Sequence, residues 1–486
     1  MIDVRDQIIS AQATVVADQA VIIIDQVKVI KDQAAIILSL QKKIEILESE
    51  VKMLKHKLGL DSNNSSKPPS SDGLGKKNVI PKSQVNNNLS DKKKVHKSRN
   101  LKQVENPDHV IDHMPVSCNG CGENLSDIAS DKHEARQVFD LPEDIRFIVT
   151  EHRLHRKICP CCNSKNYGQA PEHIPGHTQY GTNLGALCIY FYNIHMLPYK
   201  RISDIVEAMF GQRVSEQVII DYTNRFGKIS EKYQDIIEDN IRKSEVTHHD
   251  ETGIRVAGKL HWMLVATTNI WTKYWVSAKR GAVMKGLTGF MVRDCFKPYD
   301  SYNPEAIMVL CNAHLLRELE AIRDLVDWSG LMHKMLLLMN RVKHRYLARD
   351  KEIPDNLQKL SSAGYDKILL DAHKQIANNP PRTKTPERKA YALLNRLTNR
   401  KDDILRFLYY KIVPFTNNLG ERDLRMHKVK QKVSGCFRTL AAAELYGYSR
   451  GVLVSLTKQG ASVLSTISAA LKGQAICFPQ LATLDL

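Results

Sequence analysis

Apolar residues recur every seven positions through the N-terminal part of the chain. The repeat positions are Ile9, Val16, Ile23, Ile30, Ile37, Ile44, Val51 and Leu58. A seven-residue repeat sustained over this length predicts a coiled coil over residues 1–58 that joins copies of the chain into a homo-oligomer. The supporting apolar positions change sides near Leu40, which leaves the number of copies open. The alternative is one amphipathic helix packed on its own globular domain.

The apolar repeat gives way to a polar segment after Leu58. Residues 59–108 are rich in Ser, Pro and Lys, a composition that predicts a disordered basic linker. Its lysines, such as Lys92, Lys93 and Lys94, are suited to contacting DNA phosphates without selecting a sequence. A merely solvated tail explains the same composition equally well.

Residues 176–243 show the apolar spacing of helices. Leu184, Leu187 and Cys188 begin one helical face, Gly211 ends a second helix, and Ser215 is placed to cap a third. Two helices joined by a glycine turn favour a helix-turn-helix module that binds DNA. A plain helical packing domain fits the pattern as well.

Strand-like alternation begins near residue 246. Strands are predicted at residues 246–250, 261–267 and 273–278, followed by a short helix, a strand that ends at residue 294, and a strand at 307–311. A long helical stretch at about residues 313–410 follows and is predicted to be an insertion. The predicted catalytic domain spans residues 244–440, and two closing helices occupy a C-terminal segment at 441–486.

Three carboxylates are predicted to lie at the ends of elements in this region. Asp250 and Asp294 each end a predicted strand, and Glu421 lies in the first turn of a helix that Asn417 or Asn418 is placed to cap. A single aspartate at a strand end is usually only solvated. Three carboxylates from two strands and a helix, however, suit a two-metal phosphoryl-transfer site, because Mg²⁺ prefers hard oxygen ligands.

Four motifs, in this order, resemble those of insertion-sequence-66-type transposases. They are DET at 250–252, RDCFKPY at 293–299, CNAHLLREL at 311–319 and NNLGERD at 417–423. The resemblance extends from about Asn63 to the last helix. Where the family often has Asp, this chain has Thr416, and where it usually has Ala before the Glu, this chain has Gly420.

This resemblance implies a ribonuclease-H-like catalytic core with a DDE triad formed by Asp250, Asp294 and Glu421. Two Mg²⁺ or Mn²⁺ ions would be shared by these carboxylates, with Asp250 bridging both. The implied reaction is cleavage of DNA at transposon ends and transfer of the cut strand to target DNA, with helper proteins of the same element as possible partners.

Several cationic side chains accompany the predicted triad. His314 and Arg317 follow Cys311 in the third motif and are expected to approach the scissile phosphate or bound DNA, although a histidine beside a strand end is more often structural. A basic run after Glu421 is predicted to bind DNA phosphates, with a solvated helix face as the alternative. Its residues are Arg422, Arg425, His427, Lys428, Lys430, Lys432 and Arg438.

Two cysteine pairs indicate a structural zinc site. Cys118 and Cys121 form one C-x₂-C pair, and Cys159 and Cys162 form a second after 37 intervening residues. Four thiolates suit tetrahedral Zn²⁺, so a zinc-ribbon-like module is predicted at residues 109–175, with strands near 138–141 and 145–149. Alternative fourth ligands are Cys161, His113 and His155, and reduced free cysteines are the alternative to zinc. A four-thiolate site has no open position, so its expected roles are fold stabilisation and DNA contact.

Composition favours a polyanionic partner. The chain has 486 residues and a formal net charge of +17, with a pI near 9.3. The sequence shows neither a long apolar span nor a secretory signal, so a cytoplasmic protein, associated with the nucleoid when bound to DNA, is expected.

Together these observations predict a multidomain α/β protein that acts as a DDE-type DNA transposase. Two alternatives remain open at this stage: a metal-dependent nuclease that cuts without joining, and a non-catalytic, zinc-containing DNA-binding regulator.

Overall fold

The computed structural model describes residue 19 and residues 26–48, 50–51, 103–132, 134–142, 145–282, 284–296, 299–378 and 386–482. Helix α1 spans residues 26–48, and all of its residues are exposed, including the repeat positions Ile30, Ile37 and Ile44. The linker lysines Lys92, Lys93 and Lys94 lie outside the described residues. No helix in the described part of the chain is long and apolar enough to cross a membrane.

The cysteine-containing segment has little regular structure. Strands β1 (Arg156–Ile158) and β2 (Lys165–Tyr167) pair in an antiparallel hairpin that carries the second cysteine pair in its turn. The strands predicted near 138–141 and 145–149 are wrong, since none of the described residues there belongs to a strand. No strand within the described residues pairs with these segments, and Ile148 is 93% exposed.

Four helices follow where helical spacing was predicted. They are α2 (Thr182–Asn193), α3 (Tyr199–Phe210), α4 (Glu216–Glu231) and α5 (Gln234–Arg242). Gly211 ends α3 in the left-handed conformation with φ of 69°, which glycine adopts without steric cost. The Ser215 hydroxyl accepts the N–H of Val218 and caps α4, as predicted.

A five-stranded mixed sheet forms the centre of the molecule. Its strands are β3 (Val246–Val256), β4 (Lys259–Thr267), β5 (Thr272–Ser277), β6 (Phe290–Arg293) and β7 (Ile307–Leu310). The order across the sheet is β5-β4-β3-β6-β7; β3, β4 and β5 are antiparallel neighbours, whereas β3, β6 and β7 are parallel.

Two predictions about this sheet are wrong. Strand β3 does not end at Asp250, because it pairs with β4 from His248 as far as Val256. The short helix predicted between β5 and β6 is also absent, since residues 279–282 and 284–289 form turns, bends and irregular backbone.

Six helices lie between β6 and the fourth motif in the described part of the chain, one before strand β7 and five after it. They are α6 (Tyr299–Tyr302), α7 (Asn312–Ala321), α8 (Asp327–Leu347), α9 (Asp355–Asn378), α10 (Pro386–Asn399) and α11 (Lys401–Tyr409). Buried Trp328, Tyr365 and Phe407 join these helices to Val292 and Val309 of the sheet in one hydrophobic cluster. Helices α10 and α11 meet at Arg400, the N-cap position of α11.

The C-terminal helices pack on the sheet together with α2–α5. They are α12 (Asn418–Ser434), α13 (Leu440–Lys458), α14 (Val463–Leu471) and α15 (Pro479–Ala482). Ile189 of α2, Phe226 of α4, Ala266 of β4 and Val452 of α13 belong to one buried cluster. The helices before and after the sheet therefore share a core with it, and a second buried cluster packs Leu424 of α12 against Ile254 and Val256 of β3.

Candidate active site

Strand register brings Asp250 and Asp294 to the same part of the sheet. In the parallel pair formed by β3 and β6, His248 lies opposite Val292. Asp250 and Asp294 each follow two residues later along their own chain segments. Because side chains two residues apart on a strand share a face, this register directs both carboxylates to one side of the sheet.

The Asp250 carboxyl lies among other acids. Burial raises its pKa to about 8, the nearby Asp294 and Glu421 carboxylates add to that rise, and a hydrogen bond from the Glu251 N–H opposes it. Three acids separated by up to 171 positions in sequence thus share one electrostatic environment. A divalent cation would neutralise this excess of negative charge, so the residues present fit such an ion.

A buried arginine side chain holds the backbone of the loop that carries Asp294. The fully buried Arg293 guanidinium donates to the carbonyl oxygens of Asp294 at 2.7 Å and Phe296 at 3.2 Å. Arg293 also pairs with Asp300, which pairs with Arg400 at 2.8 Å. The N-terminus of α11 in the helical insertion therefore helps to fix the backbone beside Asp294. No role was predicted for Arg293, although it directly precedes Asp294 in the second motif.

Glu421 lies in the first turn of α12 and faces α7. Its Oε1 atom is 3.6 Å from Nδ1 of His314 and 3.9 Å from Nη2 of Arg317. The Cys311 thiol lies 3.9 Å from the same oxygen. His314 and Arg317, predicted to accompany the triad, thus contact Glu421, one of its three predicted members. Cys311, to which the sequence assigned no role beyond membership of a motif, joins them.

Asn417 does not use its side chain to cap α12, contrary to one of the two predicted options. It occupies the N-cap position, but its amide donates to the His249 carbonyl at 2.7 Å, and its Oδ1 lies 2.9 Å from Nδ1 of His248. Since this oxygen accepts, His248 Nδ1 must carry the proton. Burial lowers the pKa of His248 to about 4, so the ring is neutral and adds no positive charge beside the acids.

His248, His249 and Glu251 belong to β3, which continues past its predicted end at residue 250. The Glu251 carboxylate is 2% exposed, pairs with Arg280, and accepts the Gly281 N–H at 2.9 Å. The Arg280 guanidinium lies 4.0 Å from the ring centroid of Phe296, two residues after Asp294. Glu251 and Arg280 therefore support the Asp294 loop from the side of β5.

The predicted DNA-binding run on α12 divides into two faces. Arg422, Arg425 and Lys432 are exposed, and Lys428 is half-buried with its ammonium donating to the Gly253 carbonyl at 2.9 Å. The prediction that Lys430 binds DNA is wrong, because this side chain is only 4% exposed and cannot lie against DNA. The helical period turns position 430 inward, as it does the buried positions 423 and 427.

Aromatic rings surround the buried Lys430 ammonium. Its Nζ lies 3.6 Å from the ring centroid of Tyr192 and 4.8 Å from that of Tyr446. Burial lowers the pKa of Lys430 to about 7. Lys430 thus holds α12 against α2 and α13 by cation–π contacts.

Each cysteine pair occupies a tight turn of the kind that zinc ligands use. Cys118 donates its N–H to Glu123 and accepts from Gly122, and Cys159 likewise donates to Ser164 and accepts from Asn163. The N–H groups of Cys121 and Gly120 lower the pKa of the Cys118 thiol, which favours the thiolate that metals bind. Among the described residues, the two pairs are not gathered into one group of three or more ligand atoms.

Comparison with protein families gives three matches. The family described as transposase IS66 family matches residues 177–445, and the zinc-finger binding domain of transposase IS66 matches residues 115–163. A family of unknown function (DUF6444) matches residues 11–102. A search of curated proteins found no match. The zinc-finger match supports a structural zinc ion in the segment that carries the two cysteine pairs.

Proposed function

Since the chain belongs to the transposase IS66 family, we propose that it is a DDE-type transposase that cleaves DNA at transposon ends and joins the cut strand to target DNA. Asp250, Asp294 and Glu421 are its proposed triad. The observation that carries this assignment is the parallel register of β3 and β6, which brings Asp250 beside Asp294, with the Glu421 carboxylate close enough to add to the rise in the pKa of Asp250.

The order of strands supports a ribonuclease-H-like catalytic core. Three antiparallel strands come first in sequence, and two further strands then add in parallel to the first of them, in the order β5-β4-β3-β6-β7. Asp250 on the first strand and Asp294 after the fourth strand then lie on neighbouring strands, as two carboxylates that share metal ions require.

Divalent ions at this site would be held by the three carboxylates and would supply activation of the attacking oxygen and stabilisation of the leaving oxygen. The protein contributes the arrangement of the acids. Arg293 holds the Asp294 backbone, and α12 carries Glu421 to the sheet through the contacts of Asn417 with β3. Asp250 must lose its proton for the site to bind cations, so ion binding and deprotonation are coupled.

The remaining segments are proposed to assemble the protein on DNA. The exposed apolar positions of α1 support a coiled coil between copies of the chain within residues 1–58. The zinc-ribbon-like module at 109–175 and the helical module at 176–243 are proposed to bind the transposon ends. The exposed cations of α12 are then placed to bind phosphates beside the triad.

Replacing Arg425 and Lys432 with Gln is expected to weaken DNA binding mainly at low salt. If each side chain neutralises one phosphate, the slope of log affinity against log salt falls by roughly 0.9 for each of the two substitutions. The measurement is fluorescence anisotropy with a duplex carrying an end of the element, at several salt concentrations. Lys367→Gln, an exposed lysine on α9, is the matched control. An unchanged slope in the double variant would show that this face of α12 does not contact DNA.

The test of the proposed function is strand transfer by purified protein with Mg²⁺ on pre-cleaved ends of its own element. The natural protein is expected to join them, and Glu421→Gln is expected to bind the ends but not to join them. Cutting of intact ends without any joining would favour the nuclease alternative. End binding with neither cutting nor joining, from a well-folded protein, would favour the non-catalytic regulator.

A further inference from the structure

Cys311, His314 and Glu421 each direct a ligand atom into one small space. Their ligand atoms all lie within 4.8 Å of one another. We propose that these three residues form a second zinc site, distinct from the cysteine pairs at 118–121 and 159–162 and overlapping the triad at Glu421. Binding at this site does not depend on the proposed function, whereas its effect on catalysis does.

The separations of the three atoms are close to those of a tetrahedral zinc site. Zinc bonds of about 2.3 Å to sulfur and about 2.1 Å to nitrogen or oxygen give edges of about 3.6 Å between sulfur and oxygen and about 3.4 Å between nitrogen and oxygen. The observed distances from Glu421 Oε1 are 3.9 Å to the Cys311 sulfur and 3.6 Å to His314 Nδ1. Shifts of a few tenths of an ångström therefore suffice at the two edges that meet at Glu421, and the third edge, between the Cys311 sulfur and the His314 ring, is no longer than 4.8 Å.

The backbone around Cys311 resembles that of the first cysteine pair. At Cys118 the N–H groups two and three residues later, on Gly120 and Cys121, face the sulfur. At Cys311 the N–H groups of Ala313 and His314 do the same, and the N–H of Asn417 adds a further contact at 3.1 Å. Cys311 and His314 thus form a C-x₂-H turn. His314 takes the position that the second cysteine, Cys121, has in the C-x₂-C pair. Unlike at Cys118, burial and the Glu421 carboxylate raise the pKa of the Cys311 thiol to about 12, so its thiolate forms only with a bound cation.

The histidine has no other use for the nitrogen that faces this space. Nδ1 of His314 is buried and makes no hydrogen bond with any described group. An unpartnered buried nitrogen lowers stability, and a bound metal would remove that cost. On binding, the Cys311 thiol loses its proton to solvent, and the thiolate and the Glu421 carboxylate together balance the two charges of the ion. Three protein ligands leave the fourth position to water.

The soft thiol and the imidazole select zinc over magnesium. Mg²⁺ prefers carboxylate and water oxygens, whereas thiolate and imidazole ligands suit Zn²⁺. Glu421 cannot bind zinc together with Cys311 and His314 and also complete the triad with Asp250 and Asp294, because zinc would draw its carboxylate toward α7. Given the proposed function, zinc at this site therefore inhibits joining by withdrawing one member of the triad.

The experiment counts zinc ions bound to the full-length protein by equilibrium dialysis. The natural protein is expected to bind two per chain and Cys311→Ser one, whereas Cys295→Ser, which changes a cysteine of the neighbouring motif that belongs to neither set, is expected to retain two. A variant with Cys118→Ser and Cys121→Ser is expected to keep one ion, and adding Cys311→Ser to it should remove that ion. Thermal unfolding establishes that each variant is folded, and His314→Asn replaces Cys311→Ser if the latter is not.

One bound ion in the natural protein, or two in Cys311→Ser and His314→Asn, would overturn the proposal. Titrating Zn²⁺ into the joining reaction in the presence of Mg²⁺ then tests the effect on catalysis, and joining is expected to fall as the second ion binds. Absence of joining with Mg²⁺ alone, before any zinc is added, from a protein that dialysis shows to bind two zinc ions would count against the proposed function and leave the zinc site standing. The two failures are therefore distinguishable.

Discussion

Replacing Asp250 with Asn is expected to abolish DNA joining and, without added Mg²⁺, to stabilise the protein. Loss of a shared metal ligand removes several kcal/mol of transition-state stabilisation, so joining should fall by at least about a thousandfold. The gain in stability has a separate origin, because the folded protein holds this acid among other acids and away from water.

The stability gained by Asp250→Asn should increase with pH. The pKa of Asp250 rises from 3.8 to about 8 on folding. For an acid whose folded pKa is raised, stability is fully present below the unfolded pKa and is lost as pH rises through the folded pKa. Asn carries no such penalty, so the variant should be more stable than the natural protein at pH 8.5, and the difference should largely disappear near pH 4.

Thermal unfolding without added Mg²⁺ measures this effect. We expect a gain of at least about 1 kcal/mol at pH 8.5, which is roughly 2–4 °C for a domain of this size. The exposed Asp371→Asn on α9 is the control and should change little. Added Mg²⁺ should stabilise the natural protein more than the variant, because the ion binds the folded carboxylates. A variant that gains nothing at pH 8.5, or gains equally at both pH values, would contradict the placement of Asp250 among the acids.

Replacing Asp423 with Asn is expected to destabilise the fold strongly. Asp423 lies two residues after Glu421 in α12, and its Oδ2 accepts from Lys458 of α13 at 2.7 Å and from the Thr267 hydroxyl at 2.7 Å. Both members of the pair are nearly buried, with side-chain exposures of 8% and 12%. The substitution leaves the Lys458 ammonium buried without a counter-ion, and breaking such a pair costs about 3–5 kcal/mol.

Chemical denaturation gives the free energy of unfolding of Asp423→Asn, Lys458→Met and the variant that combines them. Comparing the three separates the contribution of the ion pair from that of each side chain alone. Asp423→Asn with Lys458→Met should recover much of the stability, because no buried charge then remains unpaired. The exposed pair of Lys200 and Asp204 supplies the control, since Asp204→Asn should cost less than about 1 kcal/mol. If both aspartate variants lose the same small amount, the Asp423 pair does not hold α12 in place.

Much of the helical and strand structure follows from local sequence. The glycine after α3 and the serine before α4 mark their helix ends through backbone freedom and hydroxyl capping, which involve only neighbouring residues. Strands β4, β5 and β7 lie close to their predicted positions for a similar reason, since alternation within a few residues is visible in the chain. The family was also predictable, because four motifs in order carry it, and the match to residues 177–445 confirms it.

The errors concern pairing across the chain. β3 continues past Asp250 because β4 pairs with it, and no residue of β3 alone signals that partner. Lys430 appeared to be one more cation in a basic run, but its burial depends on where Tyr192 and Tyr446 lie. Asparagine is a residue type that often caps helices, yet the side chain of Asn417 forms hydrogen bonds with β3 instead.

The sequence by itself thus determined the family, the helices and strands with strong local signals, and the three acids proposed as the triad. Tertiary structure decided which groups meet those acids: Arg293 and Arg400 behind Asp294, and Cys311 and His314 beside Glu421, about 110 positions earlier in the chain. The physical reason is that periodicity, capping and turn preferences act over a few residues. Burial, charge pairing and metal-ligand geometry arise only when distant segments pack together.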